Sequence, residues 1–232
     1  MKRTAASLTL AALLTGCVAG PAAPVRAGAG AYSTFPESGA ARRFGGGQCL
    51  ADLGRQQANF TPLPDRYYGA GCATVGTVQL AGLQGDTAVF AVRGLGPVTC
   101  PLAETLAGWA RFGVDRAARE ILGSPLVRIE TMGSYACRNV IGGSSGSGAH
   151  SAARRSAHAT ANAVDVAGFD LADGRRVRVA GSWNDPDPAV RQFLRVVRGS
   201  ACKRFTTVLS PDYNAAHHDH LHVEMGSSKF CS

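Results

Sequence analysis

Beyond residue 47 the sequence reads as one domain of interspersed helices and strands, stapled by disulfides. Three observations predict this. Segments that alternate apolar and polar residues are interleaved with segments whose apolar residues recur at helical spacing. Six cysteines, Cys49, Cys72, Cys100, Cys137, Cys202 and Cys231, form an even set, as a disulfide framework requires. Residues 48–232 also make up a comfortable length for a single domain with its own core.

Taken in order, residues 49–72 read as an irregular lobe, because Pro62, Pro64 and Gly69 interrupt any helix. Val75–Leu80 and Thr87–Val92 alternate as strands do and are joined through residues 82–86 as a hairpin. Pro101 opens a helix at a favourable first-turn position, with Leu102, Leu106, Trp109 and Phe112 on its apolar face. That spacing makes Trp109 a core residue. Asp115 is the expected N-cap of a second helix ending at Gly123. Leu126–Thr131 is a strand, Asn162–Leu171 and Arg175–Val179 pair around Asp173-Gly174, and Pro186–Arg198 is a helix. Phe205–Leu209 and His220–Met225 close the domain as strands.

The first residues predict export. Lys2 and Arg3 precede the apolar run Ala5–Leu14, which is too short to span a bilayer. Leu14-Thr15-Gly16-Cys17 resembles a bacterial lipobox, so residues 1–16 are expected to be a signal peptide and Cys17 the acylated residue. Residues 17–47, rich in Ala, Gly and Pro, then form a flexible tether. The expected location is the periplasmic face of a bacterial envelope, with a lipid anchor in the outer membrane. With Cys17 acylated, the other six thiols are free to pair, and the expected pairing is sequential: 49–72, 100–137 and 202–231. No C-x-x-C pair is present, which removes zinc-ribbon and thioredoxin-like readings.

Net charge is +8, or +6 once Lys2 and Arg3 are removed with the signal peptide. A basic surface suits an anionic partner such as a cell wall or membrane. No aromatic-interleaved basic motif argues for nucleic acid.

Two stretches carry the chemistry. The first, residues 156–165, holds His158 and Asp165 seven apart; the second, residues 217–224, holds four of the six histidines. His220 and His222 are two apart, which on a strand puts both imidazoles on one face and turns Leu221 and Val223 to the other. A charged turn leading into a strand would explain the second stretch alone. The conjunction points to a metal: His158, Asp165 and His222 supply the two histidines and one carboxylate that suffice for a catalytic Zn2+, with a fourth position open.

The Ser156-x-His158-x-x-Ala161-x-Ala163-x-Asp165 pattern resembles the zinc-binding motif of LAS-type peptidases, among them D-Ala-D-Ala dipeptidases and penicillin-insensitive murein endopeptidases; hedgehog-type domains share their fold. Ala161 stands where that motif has Gly. His217-x-x-His220-x-His222 resembles the closing motif of the murein endopeptidases. The surroundings, Cys100-Pro101, residues 133–138, Asp165-x-x-Gly-Phe169, residues 201–205 and Pro211-Asp-Tyr-Asn214, resemble the extensin-like C-terminal domain family of bacterial envelope proteins. The resemblance implies an α+β fold: a small mixed or antiparallel sheet with helices on one face.

It also implies a zinc-dependent peptidoglycan peptidase. Two residues compete for the general base. Alternation favours His220, whereas Asp219 occupies the position of an acidic base in many relatives. Arg138 resembles the family arginine that binds substrate or stabilises the developing oxyanion; a surface arginine beside a disulfide is the plainer reading. His217 and Ser156 are expected near substrate or the metal shell. A wall-binding lipoprotein that keeps zinc without catalysis, and a purely structural envelope protein, are the other classes. The sequence leaves open whether a partner envelope protein activates the site. Residues 142–154, rich in Gly and Ser with His150 and Arg154, lie between Arg138 and His158 and so border the site, as a cover or as a solvated insertion.

Overall fold

The computed structural model describes residues 46–140 and 154–232. The expected signal peptide, lipidation site and tether, and most of the Gly/Ser-rich stretch, lie outside these residues. Among the described residues no helix is long and apolar enough to cross a membrane.

The first helix, α1 (Gly46–Arg55), is followed by β1 (Asn59–Pro62), β2 (Arg66–Gly69), β3 (Cys72–Thr74), β4 (Thr77–Gln84), β5 (Val89–Arg93) and β6 (Val98–Thr99). The helix α2 (Cys100–Trp109) runs through a wider π-helical stretch, Ala110–Asp115, into α3 (Arg116–Leu122). Then come β7 (Leu126–Gly133), β8 (Ala163–Leu171), β9 (Arg176–Arg178), the single turn α4 (Val179–Ser182), the long α5 (Pro188–Arg204), β10 (Thr207–Leu209), β11 (Leu221–Glu224) and β12 (Phe230–Cys231).

The fold is α+β, as expected, but the sheet is not small. Ten strands form it in the order β1-β4-β5-β7-β8-β11-β10-β12, with β6 added to β4 and β9 to β8. Most neighbours are antiparallel; β5–β7 and β10–β12 are parallel. The parallel β5–β7 pair requires a crossover connection, which α2 and α3 supply. The short strands β1, β6 and β12 account for the extra width, and segments of two to four residues carry too little alternation to be read from sequence; β9 falls inside the expected strand Arg175–Val179 and pairs β8 as expected.

Helices and sheet share one core. Trp109 is fully buried, meets the rings of Phe169 on β8 and Phe205 edge-on, and donates its indole N–H to the Val197 carbonyl on α5 at 3.1 Å. The neighbouring pairs Leu221–Val166 and Val223–Val164 turn into the same core. By alternation, the pair between them, His222 and Asp165, faces the other way. The site therefore lies on the sheet face opposite the Trp109 core.

Four sequence expectations need correction. The region 49–72 is ordered as a helix and short strands rather than an irregular lobe. Asp115 does not cap a helix: its backbone is helical, because α2 continues through the π stretch without a break. Its buried carboxylate instead accepts hydrogen bonds from the backbone N–H of Leu126 and from Arg119. The helix expected to stop at Arg198 runs on to Arg204, since Ala201 is buried in the core and outweighs the weak helix propensity of Gly199-Ser200. The disulfides are Cys49–Cys100, Cys72–Cys137 and Cys202–Cys231. Only the last matches the sequential pairing. Packing of α1 on α2 brings Cys49 to Cys100, and that leaves Cys72 on β3 to join Cys137 beyond β7.

Candidate metal centre and cleft

The site is assembled from three segments. A short 3-10 turn, Ala157–Thr160, carries His158. Ser156 starts that turn, its hydroxyl accepting from the His158 backbone N–H at 3.3 Å, so it acts on the imidazole through the backbone. Ala161 ends the turn in the left-handed region at φ +54°. The second segment is β8 with Asp165, and the third is the stretch from Asn214 to Glu224.

Three side chains converge, Asp165 through both of its oxygens. His158 Nε2 lies 3.2 Å from Asp165 Oδ2 and 3.3 Å from His222 Nδ1, and His222 Nδ1 lies 2.9 Å from Asp165 Oδ1. Zinc bonds of about 2.0–2.2 Å in tetrahedral geometry place ligand atoms about 3.3–3.6 Å apart. The three residues are thus close to the spacing a small tetrahedral ion requires, and each is largely buried.

Each imidazole in the cleft is tethered by one nitrogen. His158 donates from Nδ1 to the Ser134 carbonyl at 3.2 Å, and His222 from Nε2 to Glu224 at 3.0 Å. His220 donates from Nδ1 to Asp219 at 2.8 Å, and His217 from Nδ1 to Asn214 Oδ1 at 2.7 Å. An N–H committed to an acceptor leaves the other ring nitrogen as a lone pair. In the neutral rings, His158 and His222 therefore turn two lone pairs and the Asp165 carboxylate toward one point. Like acceptors at this range repel, and only a proton or a cation between them relieves it. This donor set fits zinc, with carbonyl and carboxylate partners behind the imidazoles as such sites need.

The charges in the metal-free cluster are strongly coupled. Burial opposes ionisation of Asp165, yet the hydrogen bonds from His158 and His222 hold it far below the usual carboxylate range. Burial also disfavours charge on His222, but Asp165 and Glu224 outweigh it and push its pKa up to about 9. Glu224, for which burial again opposes charge, is held below the ordinary value by its bond to His222. Burial and the neighbouring His220 and His222 pull His217 down to about 4.

The two residues that compete for the base in sequence are in contact with each other. His220 is buried, with Nε2 3.5 Å from Asp165 Oδ1, and the half-buried Asp219 accepts from Nδ1 on the far side of the same ring. Residues 47–232 match the family described as extensin-like protein C-terminus. The chain belongs to that family. No curated protein and no solved structure matches it.

In this extensin-like domain the His158/Asp165/His222 cluster forms part of a cleft of about 670 Å³. Arg138, Arg154 and Arg155 line it, as do His217, His220 and His222. The Cys72–Cys137 bridge and the Arg155 side chain, which donates to the Ala70 carbonyl at 2.6 Å and to Asn139 at 2.9 Å, fasten the β2–β3 hairpin beside it. Val140 donates to the Arg154 carbonyl at 2.9 Å, so the two described ends of the Gly/Ser-rich stretch meet at the cleft. Sequence reasoning missed Glu224, Ser134 and Asn214. Glu224 was findable, since alternation places it on the face of His222. Ser134 acts through a tertiary contact that leaves no local signal, whereas Asn214 is a local N-cap three residues before His217, in a turn that its side chain starts.

Proposed function

We propose that the domain is a zinc-dependent peptidoglycan peptidase related to the LAS-type enzymes, hydrolysing amide bonds in stem peptides or cross-links. The observation that carries the reading is the pairing of the His158/Asp165/His222 donor set with a separate, Asp219-tethered His220 beside it. A structural polar cluster needs the first but has no use for the second.

Zinc held by His158, Asp165 and His222 would supply a Lewis acid for the scissile carbonyl and ease deprotonation of water. With Nδ1–H donated to Asp219, the Nε2 of neutral His220 is the lone-pair nitrogen, and it takes the proton from the attacking water. The same nitrogen then returns it to the leaving amine, so that water and amide become carboxylate and amine. Arg138 lines the cleft and supplies a cation for the oxygen that gains charge at the carbonyl. Neutral His217 offers a hydrogen-bond acceptor to the substrate.

The same reading puts the protein in the periplasm, acylated at Cys17 and anchored to the outer membrane. Cys17→Ser is expected to release it in soluble form, which fractionation and N-terminal mass spectrometry would detect. The deciding experiment incubates the purified full chain with defined muropeptides, with and without a chelator. Chelator-sensitive release of a new amine supports the peptidase. Zinc-dependent muropeptide binding with no cleavage, in the presence of envelope extract as well, would instead make it a wall-binding lipoprotein.

A further inference from the structure

The cleft does not end at the histidines. A row of rings leads out of the centre: His222 to His217 at 5.9 Å between centroids, His217 to Tyr213 at 5.6 Å, and Tyr213 to Phe230 at 5.6 Å. Tyr213 and Phe230 both line the cleft and are 44% and 47% exposed. Nothing in the metal chemistry needs them.

Their exposure has no folding benefit, yet the fold fixes them. Phe230 donates its backbone N–H to Thr206 at 2.7 Å, pairs beside β10, and stands next to Cys231, which is bridged to Cys202 on α5. Tyr213 is set by the turn that closes with its N–H on the Ser210 carbonyl at 2.9 Å. Two aromatic rings meeting near a right angle, 72° between planes, make an open corner of rigid apolar faces. The cleft beside them is polar and small: Asn214, Gly226, Ser227 and Ser228.

We propose that Tyr213 and Phe230 form a saccharide subsite, so that the cleft takes a peptide together with the sugar ring to which it is attached. An aliphatic side chain seeks a closed apolar pocket, which this corner is not. A pyranose presents C–H faces that stack on aromatic rings and hydroxyls that need hydrogen-bonding neighbours, and the corner offers both. The arginines then lie toward the peptide end, where carboxylates are. The inference deepens the peptidase reading and rests on it for the identity of the peptide.

The test is calorimetric binding of a disaccharide-tetrapeptide muropeptide and of the same peptide without sugar to the zinc-loaded full chain, with hydrolysis followed separately. The sugar-bearing ligand should bind about tenfold tighter, the order expected of one ring-stacking contact. Phe230→Ala and Tyr213→Ala should each bring that ratio toward one, and Phe230→Trp should restore it. Phe230 touches no histidine, so its variants report on the shelf even if Tyr213→Ala disturbs His217. Equal affinity for the two ligands, or a ratio unmoved in Phe230→Ala, overturns the subsite, as does displacement of the muropeptide by a single-stranded oligonucleotide through the same residues. A sugar preference without hydrolysis sinks only the peptidase reading, hydrolysis without the preference sinks only the shelf, and no binding of either ligand sinks both.

Discussion

His222 faces Asp165 directly across the β8–β11 ladder, with Nδ1 2.9 Å from the carboxylate. In the metal-free protein this pair sets two opposite pH limits. Asp165 is depressed, so its contribution to stability is present above the unfolded value of about 3.9 and is lost as pH falls well below it. His222 is raised to about 9, so its contribution is full below the unfolded value of about 6.5 and is lost as pH rises through 9. The urea midpoint of chelated protein should therefore decline between pH 7 and about 10. Saturating zinc should abolish the alkaline decline, because the metal then fills the role of the proton. Zinc uptake at pH 7 should release close to one proton, measurable by calorimetry in buffers of differing ionisation enthalpy. No release at pH 7 would contradict the assigned pairing.

Removing a ligand should remove the metal. His158→Ala and His222→Ala are each expected to lower zinc content from about one per chain to near zero, by elemental analysis, while the far-ultraviolet spectrum stays. The fold survives because the core on the other sheet face and three disulfides do not pass through the centre. Stoichiometric zinc persisting in the double variant would end the assignment.

Glu224 should matter chiefly through His222. Its carboxylate holds Nε2 at 3.0 Å, and loss of such an outer partner typically lowers metal affinity by about 10–100-fold. Glu224→Ala should show that loss in competition with a chromophoric chelator, and Glu224→Gln, which keeps an acceptor oxygen, should recover most of it. An altered visible spectrum of the cobalt-substituted Glu224→Ala protein would report changed ligand geometry directly. Equal affinities in all three proteins would reduce Glu224 to a surface carboxylate.

The base and its tether should separate kinetically. His220→Ala is expected to lower kcat by about 10²–10⁴ with zinc content retained, since the ring is not among the three convergent donors. Asp219→Ala leaves the imidazole in place but frees its tautomer, so a smaller loss of kcat is expected, again with zinc content retained. If Asp219→Ala proved the more damaging of the two, the carboxylate itself would have to be the base.

How much of this was legible in the sequence follows from what each feature depends on. His158, Asp165 and His222 were readable because strand alternation and a local turn place them, and both are short-range rules. Alternation could not place Asp219, which lies in the turn before β11 rather than on a strand, and its bond to His220 was not legible either. The disulfide pairing was not legible, since Cys49 meets Cys100 only through packing of α1 on α2. Ala161 is instructive. Its backbone needs φ +54°, which costs a non-glycine residue about 1–2 kcal/mol. Its methyl is fully buried, and burial of one such group offsets about 0.8 kcal/mol. The departure from Gly in the motif is thus tolerated, and the turn that carries His158 keeps its shape.

Two disulfides flank the cleft from opposite sides, and breaking them should have different consequences. Cys72–Cys137 closes 65 residues and holds the hairpin against the segment of Ser134, Ala136 and Arg138. There Ala136 donates to the His158 carbonyl at 3.1 Å and Ser134 accepts from the His158 ring. Cys202–Cys231 closes 29 residues and fixes β12 with Phe230. Loop-entropy reasoning gives each bridge a contribution on the order of 2–4 kcal/mol, slightly larger for the longer loop, so melting temperature alone would not tell them apart. Function should. Cys72→Ser/Cys137→Ser is expected to weaken zinc affinity and turnover on every substrate, because the His158 turn loses its backing. Cys202→Ser/Cys231→Ser is expected to keep zinc at full occupancy and to lose selectively the preference for sugar-bearing ligands. Loss of zinc in the second variant, or its full retention in the first, would show that the two walls of the cleft are not held independently.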